Sequence, residues 1–229
     1  MKRIATLVIG IMLSLSLLSA RNTYALMRVA FDSGADGSVE SLVSDNGAGD
    51  LSGITGYMIA AYSGGPWVVS VALGTSKPVA VPPTVMDLSF SAISSAGGTI
   101  LISLTDTNWS GVGVQRFLAD IGGAMVSGAL VEYSVYGSLT NGEFERTSLI
   151  CHDTLSGSPY TDSCVGLFTQ DPEYSLTLDV KVTHTGGGIT TGNLEFKVPE
   201  PSAMILLGMG LLGLCMWTRK RMSKRKQLG

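Results

Sequence analysis

The sequence predicts an all-β protein, a single antiparallel β-sandwich of jelly-roll or immunoglobulin-like kind flanked by an N-terminal signal helix and a C-terminal transmembrane helix. Three observations lead there. Apolar residues recur at every second position in many short runs. Gly, Asn and Pro interrupt those runs at turn spacing. The charge is sorted by region: residues 1–25 carry +3 (Lys2, Arg3, Arg21), residues 199–229 carry +5, and residues 26–198 carry −11, within an overall charge of −3 over 229 residues. An acidic body thus lies between two short basic ends. That balance excludes a general nucleic-acid binder, and 45% hydrophobic with 14% charged residues excludes a disordered polar chain. The length suits one domain with a sizeable core.

From the N-terminus, Met1-Lys2-Arg3 is a positive n-region and Ile4 to Leu18 an apolar h-region. Thr23 and Ala25 place small residues at −3 and −1, so residues 1–25 read as a signal peptide handled by the Sec translocon and signal peptidase. Ala20 is a second candidate for cleavage, and an uncleaved anchor is the alternative. The body, 26–198, follows. Trp67, Val69, Val71 and Leu73 make one strand face. Others are Met86, Leu88 and Phe90; Ile100, Ile102 and Leu104; Val131, Tyr133 and Val135; Leu176, Leu178, Val180 and Val182; and Leu194 with Phe196. The segment Val114 to Ile121 reads as a turn of helix at most.

Turns are expected at Asp36-Gly37, Asn46-Gly47, Gly64-Gly65-Pro66, Gly97-Gly98 and Gly186-Gly187-Gly188. Asn141-Gly142 is the best two-residue hairpin candidate. Pro82-Pro83 reads as a connection within one domain, because either half alone has few strands with which to close a core. A β-solenoid is the other architecture weighed, but the chain shows no fixed repeat. Cys151 and Cys164 are expected to form a disulfide, worth about 3 kcal/mol for a loop of this length, in an oxidising compartment. Cys215 falls in the C-terminal apolar run.

The C-terminus combines three dissimilar features. Pro199-Glu200-Pro201 holds the chain extended, because neither Pro can donate to a ladder or continue a helix. The apolar run after Ser202 would form a helix over 202–218 roughly 25 Å long, a marginal membrane span. Arg219, Lys220 and Arg221 open a basic tail that acts as a cytoplasmic stop. The GxGxxG spacing of Gly208, Gly210 and Gly213 lies inside this run and lacks the strand and helix that nucleotide binding requires.

Together these features resemble the PEP-CTERM sorting signal of Gram-negative bacteria, on the match of Val198 to Pro201, Leu206 to Leu214 and Arg219 to Arg221. The resemblance implies an exported protein, processed near 199–201 by an exosortase, a polytopic membrane enzyme, in cells that commonly produce extracellular polysaccharide. It implies a transient anchor in the cytoplasmic membrane, then release to the surface or beyond. It carries a sorting route and no activity.

For the body, chemistry is sparse. There is no GxSxG, HExxH or P-loop, and two His leave little room for a triad. His184, in phase with an apolar face, is expected to be structural. Asp32-x-Gly34-x-Asp36-Gly37 and Asn46-Gly47-Ala48-Gly49-Asp50 each miss a calcium pattern by a ligand position, so neither a metal nor a cofactor is expected. Trp109 is the candidate glycan contact, on the expectation that it sits at a loop tip, with Tyr57, Tyr62, Tyr133, Tyr136 and Tyr160 as a conceivable platform, though Tyr133 is expected to point inward, and Trp67 in the core. The reading is therefore a noncatalytic component of the cell surface or of an extracellular, biofilm-associated matrix. The alternative is a carbohydrate-binding module or hydrolase delivered by the same route, with extracellular polysaccharide as partner.

Overall fold

The structure, a computed structural model, describes residues 26–80 and 84–198. The expected signal helix, the transmembrane helix 202–218, the sorting residues Pro199, Glu200 and Pro201, and the basic stop Arg219, Lys220 and Arg221 lie outside them.

The described residues form two six-stranded antiparallel sheets and no helix. In the first, the spatial order is β2 (Ser41–Ser44), β1 (Arg28–Ser33), β6 (Gly98–Trp109), β11 (Tyr174–His184), β8 (Leu130–Ser138) and β9 (Ser148–Ser156). In the second it is β10 (Tyr160–Gln170), β7 (Gly113–Met125), β12 (Gly188–Lys197), β5 (Thr84–Ser94), β4 (Trp67–Thr75) and β3 (Tyr57–Gly64). From β5 onward the pairing is nested: β5 with β12, β6 with β11, β7 with β10 and β8 with β9. The β4–β5 ladder pairs the segments on either side of Pro82-Pro83, so the two share one sheet.

Alternation decides which side chains meet between the sheets. Ile100, Ile102 and Leu104 of β6 and Leu176, Leu178, Val180 and Val182 of β11 face Met86 and Leu88 of β5 and Leu194 and Phe196 of β12, all at 0% exposure. Each such side chain contributes about 1.5–3 kcal/mol by leaving water. Phe117 stacks on Phe196 with centroids 4.8 Å apart, and Trp67, 1% exposed, lies 4.9 Å from the His184 ring. Burial lowers the pKa of His184, which contacts Thr190 Oγ1 at 2.8 Å through Nε2, a structural role.

Two expectations are corrected. Val114 to Ile121 is not helical; it lies within β7, a thirteen-residue strand. Phe117, Ala119 and Ile121 point inward while Val114 and Leu118 lie on the other face, and apolar residues on both parities obscured the period of two. Nor does Asn141-Gly142 close a tight hairpin. The β8–β9 connection runs from Leu139 to Thr147, because Phe144 and Arg146 are drawn across the neighbouring strands. The tight turn forms instead at Gly65-Pro66 between β3 and β4, where Gly65 takes a φ of +55°.

The Cys151–Cys164 disulfide joins β9 to β10, with Cα atoms 5.9 Å apart. It therefore fastens the edge of one sheet to the edge of the other, where no backbone ladder can.

Candidate functional site

The most constructed region is the outer face of the first sheet. Residues 139–147 leave β8 and fold back over β11 and β6 as far as β1. Asn108 and Asn141 start the fold: both adopt left-handed backbone, which Asn tolerates better than most residues, with φ of +58° and +56°. Their side chains pair, Asn141 Nδ2 donating to Asn108 Oδ1 at 2.8 Å, while the Asn108 amide donates to Asn141 Oδ1 at 2.7 Å. The Phe144 amide then donates to Thr105 Oγ1 at 3.2 Å, and Glu143 meets Arg28 at 2.7 Å. Under this strap the polar residues of β6 and β11 are removed from water, with Thr105 and Thr177 at 0%, Ser103 at 3% and Asp179 at 6% exposure.

Arg146 closes the strap. Its Nε and Nη2 donate to the two carboxylate oxygens of Asp179 at 2.5 and 3.0 Å, and Nη2 also donates to Ser103 Oγ at 3.1 Å. Burial opposes the guanidinium charge, but the hydrogen bonds and charge of Asp179 outweigh it and raise the Arg146 pKa. Beside this pair lies a cavity of about 310 Å³, lined by Asp32, Ser103 and Arg146 among Ala30, Ala35, Gly37, Val39, Leu101 and Phe144. Asp32 is 4% exposed and accepts from the amides of Asp36 and Gly37 at 3.2 and 2.9 Å. An apolar wall with a few fixed polar groups is how a small polar ligand is oriented.

A second cluster closes one end of the core. Asp106 continues the inward row of Ile100, Ile102 and Leu104, and its side chain is fully buried. It accepts from Ser76 Oγ at 2.5 Å, Lys77 Nζ at 3.1 Å and the Leu26 amide at 3.1 Å. Burial pushes the Asp106 carboxyl up and the Lys77 ammonium down, each against the attraction of the other. Lys77 also donates to the Thr107 carbonyl and lies 4.2 Å above the Trp109 ring, a cation–π contact.

The sequence-derived candidates do not converge. Trp109 is not at a loop tip: it is the last residue of β6, opposite Tyr174, half-buried against the core. The left-handed Asn108 just before it turns the indole toward Lys77. The tyrosines make no platform, since Tyr57 and Tyr62 lie on β3, Tyr133 and Tyr136 on β8, and Tyr160 on β10. Tyr133 is fully buried and donates to Asp162 at 2.5 Å. Around Asn46, Asp50 accepts from the amides of Asn46, Ser52 and Ile59, and Asp45 from Gly56, so these carboxylates tie the loop together. Among the described residues no three His, Cys, Asp or Glu are grouped as metal ligands.

At the C-terminal junction, Lys197 ends β12, where its ammonium pairs with Glu195 at 2.6 Å and Asp120 at 3.1 Å. The hydrogen bond it donates to Glu195 is the main reason its pKa is raised. Residues 197–220 match the PEP-CTERM protein-sorting motif of known families. The chain carries a PEP-CTERM sorting signal. The PEP-CTERM segment thus begins on the last residue of the last described strand, and a signal of this kind implies export with membrane-anchored transit and processing by an exosortase.

No curated protein matches the chain. Among solved structures it is similar to the enzymatically active domain of tailspike protein 4 from bacteriophage CBA120, at 13% identity and a TM-score of 0.37 over 68% of this chain and 21% of that one. It is also similar to TmCBM61 in complex with β-1,4-galactotriose, at 10% identity and a TM-score of 0.36 over 66% and 92%. A third is the K1 cleaved adhesin domain of Lys-gingipain from Porphyromonas gingivalis W83, at 12% identity and a TM-score of 0.34 over 75% and 98%. The chain spans about a fifth of the tailspike structure. Likenesses at these TM-scores carry no argument about function.

Proposed function

We propose that the protein is a noncatalytic, exported component of the cell surface or extracellular matrix, delivered by its PEP-CTERM segment and cut near Pro199, Glu200 and Pro201 by an exosortase. The observation that carries this reading is the junction: the last described strand ends at Lys197 and the sorting motif starts there. The nested pairing from β5 to β12 supports naming the sandwich a jelly roll rather than an immunoglobulin-like domain. Mass spectrometry of the exported protein tests the route. A C-terminus near residues 199–201 is expected, and a mature chain still ending at Gly229 overturns it. Deletion of the gene is expected to weaken biofilm or flocculation.

One observation favours a second reading, a carbohydrate-binding module. The cavity beside Arg146 offers the Phe144 ring together with Asp32, Ser103 and the guanidinium, a mixture suited to a neutral saccharide face and its hydroxyls. Glycan-array binding that is lost in Phe144→Ala and Arg146→Ala, with aggregation unchanged by gene deletion, would favour it over the matrix role.

A further inference from the structure

We propose that Asp106 is the seat of the mature N-terminus: hydrolysis of the Ala25–Leu26 bond creates an α-ammonium at Leu26 that pairs with this buried carboxylate. The inference rests on the export reading and on the expected cleavage after Ala25, and goes beyond them by assigning a receptor for the new terminus.

The two carboxylate oxygens of Asp106 have separate duties. Oδ2 takes Ser76 Oγ and Lys77 Nζ, while Oδ1 takes the backbone nitrogen of Leu26 at 3.1 Å, a contact that spans 80 residues of sequence. In the precursor that nitrogen is an amide and donates one proton without charge. When signal peptidase adds water across the bond, Ala25 leaves with the new carboxylate and Leu26 keeps the nitrogen, which takes up protons to become an ammonium. The same contact is then charge-assisted, and such hydrogen bonds are about twice as strong as neutral ones. It also brings a second cation to a carboxylate whose side chain has 0% exposure and whose one other cation, Lys77, is itself mostly buried.

The boundary of the fold agrees. Leu26 is half exposed, whereas Met27 is at 0% and β1 begins at Arg28. Among the described residues, burial begins at Met27, with one residue between it and the proposed bond. Thr23 and Ala25 are the small residues at −3 and −1 that cleavage there requires. Cleavage after Ala20 would leave five more residues ahead of Leu26 and keep its nitrogen an uncharged amide.

The test exports the full chain in a Gram-negative host and reads the N-terminal peptide and Tm of the product. The expected N-terminus is Leu26. A chain with one alanine inserted between Ala25 and Leu26 is expected to mature one residue longer, moving the ammonium away from Oδ1 and lowering Tm by about 2–6 °C. In an Asp106→Asn background the same insertion should leave Tm unchanged. An N-terminus elsewhere on an exported chain, Met1 included, overturns the proposal and leaves export standing, whereas a body that stays in the cytoplasm overturns both. Should the Asp106→Asn protein not accumulate, the wild-type and insertion pair decides alone, and an equal Tm for the two overturns the proposal.

Discussion

The two outer faces of the sandwich are built on opposite terms. On the first sheet, polar residues are buried: Ser103, Thr105, Thr177 and Asp179 lie beneath the 139–147 strap. On the second sheet, apolar residues stand in water: Val68, Ile93 and Ile189 form a cross-strand row at 53%, 42% and 54% exposure. A buried polar group is costly unless fully hydrogen-bonded, so a covered polar face must be held in one arrangement. An open apolar row makes no such demand. The strapped part of the first face is specified by partners and the apolar row of the second is not, and the cavity lies beside the strap.

The largest effect expected is on what holds the faces together. Replacing Cys151 and Cys164 by Ser removes the disulfide that ties the two sheet edges together, and should cost about 3 kcal/mol by denaturant unfolding. Next, Arg146→Ala leaves Asp179 buried without its cation, a loss of about 2 kcal/mol after allowance for the partial exposure of the arginine. The matching change on the open face, Lys197→Ala, breaks two pairs whose carboxylates are more exposed than Asp179 and should cost under about 1 kcal/mol. Equal losses for the two would erase the contrast.

A pH measurement sharpens the contrast. Asp87, on the open face opposite Glu195, is pushed up to about 6 by burial and then by the Glu195 charge. Its folded pKa lies above an unfolded value of about 3.9, so the folded state binds the proton more tightly. Its contribution is favourable below about pH 4 and is lost as pH rises through about 6. Asp87→Asn should therefore stabilise by about 1 kcal/mol at pH 7 and by almost nothing at pH 4. Least of all, Ile93→Thr should change stability by no more than about 0.5 kcal/mol.

How much of this was legible in the sequence depended on whether the information was local. Strands such as β11 and β6 were plain because alternation is written in consecutive residues, and it also placed Trp67 and His184 inward. The same alternation held Asp106, two places after Leu104, but a carboxylate at a core position reads as a break in the pattern until its donors are known. Those donors, Ser76, Lys77 and Leu26, are 29 to 80 residues away. Arg146 and Asp179, 33 residues apart, meet only because a nine-residue connection crosses two strands. No spacing within either segment announces that crossing. Trp109 was misplaced because the polar run Thr107-Asn108-Trp109-Ser110-Gly111 reads as a loop, whereas pairing with β11 carries β6 through to Trp109.

The place where the sorting segment leaves the fold also has a mechanical meaning. It departs from β12, which is paired along its length with β5 on one side and with β7 on the other. A pull on the C-terminus would load both ladders in shear, so that many hydrogen bonds resist together. Had the segment left an edge strand such as β3 or β9, the same force would peel them one at a time. While the chain is tethered by its tail, the joint under tension is one of the strongest the sandwich offers.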